Sequence, residues 1–184
     1  MSSTAESASV LQGVLRRVVE GEEFRRLAAA VQSGARVVSV AGLTSASARA
    51  LALAALRRET GKRFAVVVAA NREMETWERD LSFWCGALGV GERETCGPVL
   101  ALPASENDPY SGASPHAETL ERRALALWHL AHGRGQFTLV SARALIRRTV
   151  APSQLIQMGA ILKRDEDYPP EDLVEVLLAS GYVR

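Results

Sequence analysis

Val37-Val38-Ser39-Val40-Ala41-Gly42-Leu43-Thr44-Ser45-Ala46-Ser47-Ala48-Arg49 is an apolar run that breaks at a glycine and leads into the helix-forming stretch Ala50-Leu51-Ala52-Leu53-Ala54-Ala55-Leu56. Strand, turn and helix thus follow in the order of a phosphate-binding loop. A working loop reads G-x-x-x-x-G-K-[ST]: the second glycine lets the backbone close on the phosphates, the lysine neutralises them, and the hydroxyl ligates magnesium. Counted from Gly42, those three positions hold Ser47, Ala48 and Arg49. The frame is present without the cation or the magnesium-binding hydroxyl. Two readings stay open here: a strand-to-helix corner that holds no ligand, the commoner one, or a small P-loop-like or Rossmann-like enzyme that binds a nucleotide at Gly42 without the lysine. The first predicts no catalytic residue, no cofactor, no metal and little nucleotide hydrolysis.

The flanking segments extend the alternation. The first strand is expected over residues 36–41 and its helix over 45–58, closed by Gly61. Phe64-Ala65-Val66-Val67-Val68-Ala69 is apolar without alternation, as in a parallel strand buried on both faces. Asn71 suits the cap of a helix that carries Met74, Trp77, Leu81 and Trp84 on one face, so both tryptophans are expected to be largely buried. A third strand lies near 99–102. Ser114-Pro115 reads as the cap and first residue of a helix to about Ala131, with Leu120, Ala124, Leu127 and Trp128 inward. Phe137-Thr138-Leu139-Val140 gives a fourth strand. Four strand-helix alternations predict an α/β fold, a parallel sheet with helices on both faces. Ahead of it, Val10, Leu11, Val14, Leu15 and Val18 recur at helical spacing, and Phe24, Leu27, Ala28 and Val31 continue the pattern after Gly21.

The chain has 184 residues, of which 47% are hydrophobic and 23% charged, which is ordinary for a globular domain and excludes a disordered or fibrous class. A net charge of +1 gives no global footprint for nucleic acid, although Lys62 and Lys163 are the only lysines among 22 basic residues. Cys85 and Cys96 stand apart, without the paired spacing of a zinc site, so reduced thiols are expected. The start has no basic and apolar signal pattern, and no run reaches membrane-spanning length. A cytoplasmic protein with no membrane partner is expected.

Composition changes after Pro152. Gly159-Ala160-Ile161-Leu162-Lys163-Arg164 reads as a short half-exposed strand, Asp165-Glu166-Asp167 as an acidic turn, and Pro169-Pro170 as the start of a helix stopped by Gly181. One strand and one helix do not bury a core of their own. The sequence therefore predicts the beginning of a small α/β module that continues beyond Arg184.

Taken in order, Leu102-Pro103, Glu106, Pro109-Tyr110, Ser114-Pro115, Arg122 or Arg123, Val140-Ser141-Ala142-Arg143-Ala144-Leu145 and Arg148 to Pro152 resemble the N-terminal region of the bacterial transcription-repair coupling factors (Mfd). Gly159, Leu173, Leu177 and Gly181-Tyr182 continue the resemblance, which covers residues 22 to 184. Behind the helical segment read from periodicity (1–21), it implies a UvrB-like helicase-type lobe with a degenerate nucleotide loop (22–152) and the start of a UvrA-binding module (153–184). It also implies a non-catalytic adaptor within a longer protein acting in nucleotide excision repair. The ATP- and magnesium-dependent DNA translocase and the contacts with RNA polymerase and DNA would lie in other domains. UvrB itself has an intact loop and an aromatic-rich hairpin that clamps damaged DNA. Here the stretch from Pro103 to Ser114 has only Tyr110, and a reader that stacks on bases at about 1–3 kcal/mol per contact needs several aromatics.

The remaining polar residues are mostly structural in this reading. His116, His129 and His132 are expected on the surface or at a helix end. Glu106 and Asp108 have no fixed geometry and no nucleophile beside them. Arg143, Arg147 and Arg148 fall at i, i+4 and i+5 and predict a basic stripe on a short helix: a solvated face, or a contact with other domains of the longer protein that restrains its motor. Lys163, Arg164 and Arg184 are the basic residues available to an incomplete UvrA-facing edge.

Overall fold

Phe137-Thr138-Leu139-Val140-Ser141 is the strand around which the others are arranged. The computed structural model describes residues 13, 15–91, 97–105 and 116–180. Among these residues three parallel strands, β1 (Phe64–Val68), β2 (Val99–Leu102) and β3 (Phe137–Ser141), form one sheet in the order β1-β3-β2. β3 pairs on one side from Phe64↔Phe137 to Val68↔Ser141 and on the other from Val99↔Phe137 to Leu102↔Val140. Both outer strands therefore depend on the strand that comes last in sequence. The helices are α1 (Glu22–Gln32), α2 (Ala46–Thr60), α3 (Asn71–Leu88), α4 (Ala117–Ala131), α5 (Ala142–Ile146), α6 (Pro152–Gln157) and α7 (Pro170–Ala179), with residues 15–20 also helical.

Successive side chains of a strand point to opposite faces, and the two faces carry separate cores. Val66, Val68, Val99, Ala101, Phe137 and Leu139 pack with Ala50, Ala54 and Ala55 of α2 and with Met74, Leu81 and Cys85 of α3. Leu100, Leu102 and Val140 pack on the other face with Ala126 of α4 and Ala144 of α5. Helices thus cover both faces, as the alternation predicts. α3 and α4 lie on opposite sides of the sheet, so the Arg122–Glu78 ion pair between them closes across the outer edge of β2. A strand edge covered in this way is shielded from further pairing.

Several expectations are corrected. Residues 36–41 form no strand, and among the described residues the sheet has three strands instead of four. Val37 is 83% exposed, and Val38 and Val40 are exposed beside a groove lined by Phe24, Leu27, Ala30 and Ala52. β-branched residues become a strand only where a neighbour takes up their backbone groups, and this run makes no ladder to β1. β1 is not buried on both faces either: Val67 is 56% exposed, because α4 reaches over β2 and β3 only. The cap of α3 is Ala70, with Asn71 inside the first turn. Trp77 and Trp84 are only half-buried at the border of the core, whose centre on α3 is Met74, Leu81 and Cys85.

On α4 the buried residue is Ala126, Leu127 and Trp128 are partly buried, and Leu120 and Ala124 are exposed, a register turned from the expected one. Residues 159–164 are irregular instead of a strand, and α6, which was not anticipated, packs against α4. Ser114-Pro115, Val10, Leu11, Val14, Cys96, Glu106, Asp108, Pro109, Tyr110, Gly181, Tyr182 and Arg184 lie outside the described residues. No described helix is long and apolar enough to cross a membrane.

Cys85 is fully enclosed between α3 and the sheet. Burial pushes its thiol from 9.0 up to about 11, against the opposing pull of the Arg57 charge. The unfolded chain loses this proton first, so the group's contribution to stability is intact below pH 9.0 and declines as pH rises towards 11. The difference in urea midpoint between the parent and Cys85→Ala should therefore be constant below pH 9.0 and change in the alanine variant's favour between there and about 11. Over the same range iodoacetamide should leave Cys85 unmodified in the folded protein, as read by mass spectrometry.

Candidate functional site

The Gly42 corner is built from its own side chains. Gly42 has φ +87, a left-handed turn that favours glycine, and nothing lies within 4 Å of where a Cβ would stand. Ser45 then caps α2, its hydroxyl accepting from the Ala48 amide at 3.1 Å. Ser47 Oγ accepts from Trp84 Nε1 at 3.0 Å, which ties the corner to α3. The Arg49 guanidinium turns back on the loop, Nε donating to the Leu43 carbonyl at 2.8 Å and Nη2 to that of Thr44 at 3.3 Å. In a phosphate loop these positions face a ligand; here Ser47 and Arg49 are bonded to the protein, and Ala48 has no side-chain donor to offer.

A second polar construction stands at the carboxyl end of the strands. The Ala104 amide, just beyond β2, donates to Asn71 Oδ1 at 2.8 Å and to Ser141 Oγ at 3.0 Å, while Asn71 Nδ2 donates to the Ala104 carbonyl at 2.8 Å. One residue thereby joins the start of α3, the exit of β2 and the buried end of β3. Beside it Arg123 of α4 donates to the Pro103 carbonyl. Burial, and secondarily the Arg147 charge, hold Arg123 below the usual arginine value.

The basic residues singled out from sequence do not form one site. Arg143 lies on α5, but that helix ends at Ile146; Arg147 is its extended C-terminal cap and Arg148 follows outside it, so the helical stripe does not form. Lys163 is exposed and pairs with Glu166 at 3.1 Å, Arg164 is exposed beside it, and Arg184 lies outside the described residues. His132 is the C-terminal cap of α4, its Nδ1 2.8 Å from the Trp128 carbonyl and its ring tilted at 40° against the Trp128 ring. No group of three His, Cys, Asp or Glu suited to a metal occurs among the described residues. Sequence reading missed the Asn71–Ala104–Ser141 junction; the only signal was an Asn at the start of a helix, which pointed to capping.

No protein-family model matches the chain, and no solved structure matches it. It is similar to a transcription-repair-coupling factor of Myxococcus xanthus, with 30% identity over 164 residues. That likeness supports a relation to such a factor. The match takes in 88% of this chain and 13% of the relative, so the chain spans about one eighth of that protein's length.

Asn71→Ala should leave the Ala104 carbonyl without its partner and cost about 1–3 kcal/mol, the penalty of an unsatisfied buried group. Arg49→Ala, whose acceptors are exposed to water, should cost well under that; urea denaturation of the two variants gives the comparison.

Proposed function

We propose that this chain is the UvrB-like N-terminal part of a transcription-repair coupling factor: a non-catalytic adaptor lobe (22–152) behind a short helical segment (1–21), followed by the beginning of a UvrA-binding module (153–184). The observation that carries the reading is the 30% likeness along most of the chain to a protein whose name places it between transcription and repair. The occupied bonds of Ser47 and Arg49 at the Gly42 corner add support, since a nucleotide would have to displace them. In this reading the longer protein acts in the cytoplasm. It recruits UvrA in part through the edge that carries Lys163, Arg164 and Arg184, and restrains a C-terminal ATP-driven translocase that meets RNA polymerase and DNA.

Two measurements test it. Calorimetric titration with ATP and magnesium should give no binding and no turnover; turnover that disappears on altering Gly42 would favour a nucleotide-using enzyme. In a pull-down, residues 1–184 should capture UvrA weakly or not at all, and a chain extended through the rest of the module and the returning half of the lobe should capture it strongly. Equal capture by both would move the docking surface to an earlier segment, and capture by neither would overturn the assignment.

A further inference from the structure

Trp128 of α4 packs with neither of the two cores. Its indole meets the segment that follows α6. A Cβ at Gly159 would run into Trp128 Nε1 and stand 3.0 Å from its Cδ1, so the Gly159 backbone lies against that edge of the ring. The ring has little room to yield: the His132 ring is 4.0 Å away, centroid to centroid, and Arg134 Cζ is 5.5 Å from its centre. Beyond this contact the attachment is slight. Residues 152–180 include no buried side chain, and α6 packs against α4 whereas α7 has no comparable neighbour among the described elements. Ser180 Oγ, whose one proton is shared between the Met158 and Val176 carbonyls at 2.7 Å each, ties the end of α7 to the residue beside Gly159. Trp128 Nε1 is itself buried, and no described residue accepts its hydrogen.

We propose that the Trp128–Gly159 contact is a releasable latch: Gly159 parts from the indole and residues 158–180 swing from the lobe as one arm, while the sheet and its two cores stay folded. A buried donor without an acceptor carries a desolvation cost that hydration returns. Parting lets water reach Nε1 and so offsets the packing that is lost. The arm gives up no buried side chain on leaving, and local openings are drawn from the regions with the fewest buried apolar contacts. Glycine is what makes closure possible, since any side chain at 159 would meet the indole. The latch concerns a motion and not a partner, and it does not depend on the UvrA reading.

The test is fluorine NMR of the full 184-residue chain labelled with fluorotryptophan, which gives one signal for each of Trp77, Trp84 and Trp128; Trp128→Phe assigns the last. Saturation transfer on the parent should reveal a minor Trp128 state of about 0.1–10%, whose signal shifts between ordinary and heavy water as that of an exposed indole does. Gly159→Ala should make that same state the major one, a rise of about tenfold or more in its population. The Trp77 and Trp84 signals and the thermal midpoint should stay where they are. No minor state in the parent, one whose signal differs from the variant's, or a Trp128 signal that Gly159→Ala leaves in place overturns the proposal. So does a variant in which the Trp77 and Trp84 signals move and the midpoint falls, because the arm would then be part of the lobe's own cooperative fold.

Discussion

The insertion of β3 between β1 and β2 is the constraint on which the rest of the structure depends. Among the described residues neither outer strand has another partner, so the two helical layers have no common floor until residues 137–141 arrive between strands made much earlier in the chain. Phe137 and Leu139 are fully buried on the face covered by α2 and α3, and Val140 on the face covered by α4 and α5. One strand therefore belongs to both cores. Closing long loops before any pairing is gained is the slow part of assembling such a sheet.

Polar groups fix what the apolar layers leave adjustable. At the carboxyl end, Asn71, Ala104 and Ser141 bind the ends of three elements into one junction, and at the edge of β2 the Glu78–Arg122 pair ties the two helical layers together. At the Gly42 corner, Ser45, Ser47 and Arg49 serve the same structural purpose. A turn-to-helix corner whose sequence follows the order of a phosphate loop is here internally bonded.

The local elements were legible because their signals are local. Ser45 before a run of good helix formers and Gly61 after it place α2, Pro170 starts α7, and three short apolar runs mark β1, β2 and β3. That no lysine follows Gly42 at the spacing of a phosphate loop was equally readable, since the identities at Ser47, Ala48 and Arg49 need no coordinates. Residues 36–41 show the limit. Their composition is that of a strand, but ladder bonds require a neighbour at the right edge, and composition carries no information on whether one is there.

What the sequence by itself determined, then, is the α/β class, the parallel alternation, the absence of a phosphate-loop lysine after Gly42 and the likeness to a much longer transcription-repair-coupling factor. Tertiary structure alone decided the strand order, which face of each helix is buried, and the partners of the polar side chains. Asn71 turned from a helix cap into a clamp on Ala104, and Arg147 left its expected helical stripe for an extended position at the end of α5. The physical reason is the same in each case: a side chain's hydrogen bonds and charge interactions are set by groups that are distant in sequence and become neighbours only when the sheet closes.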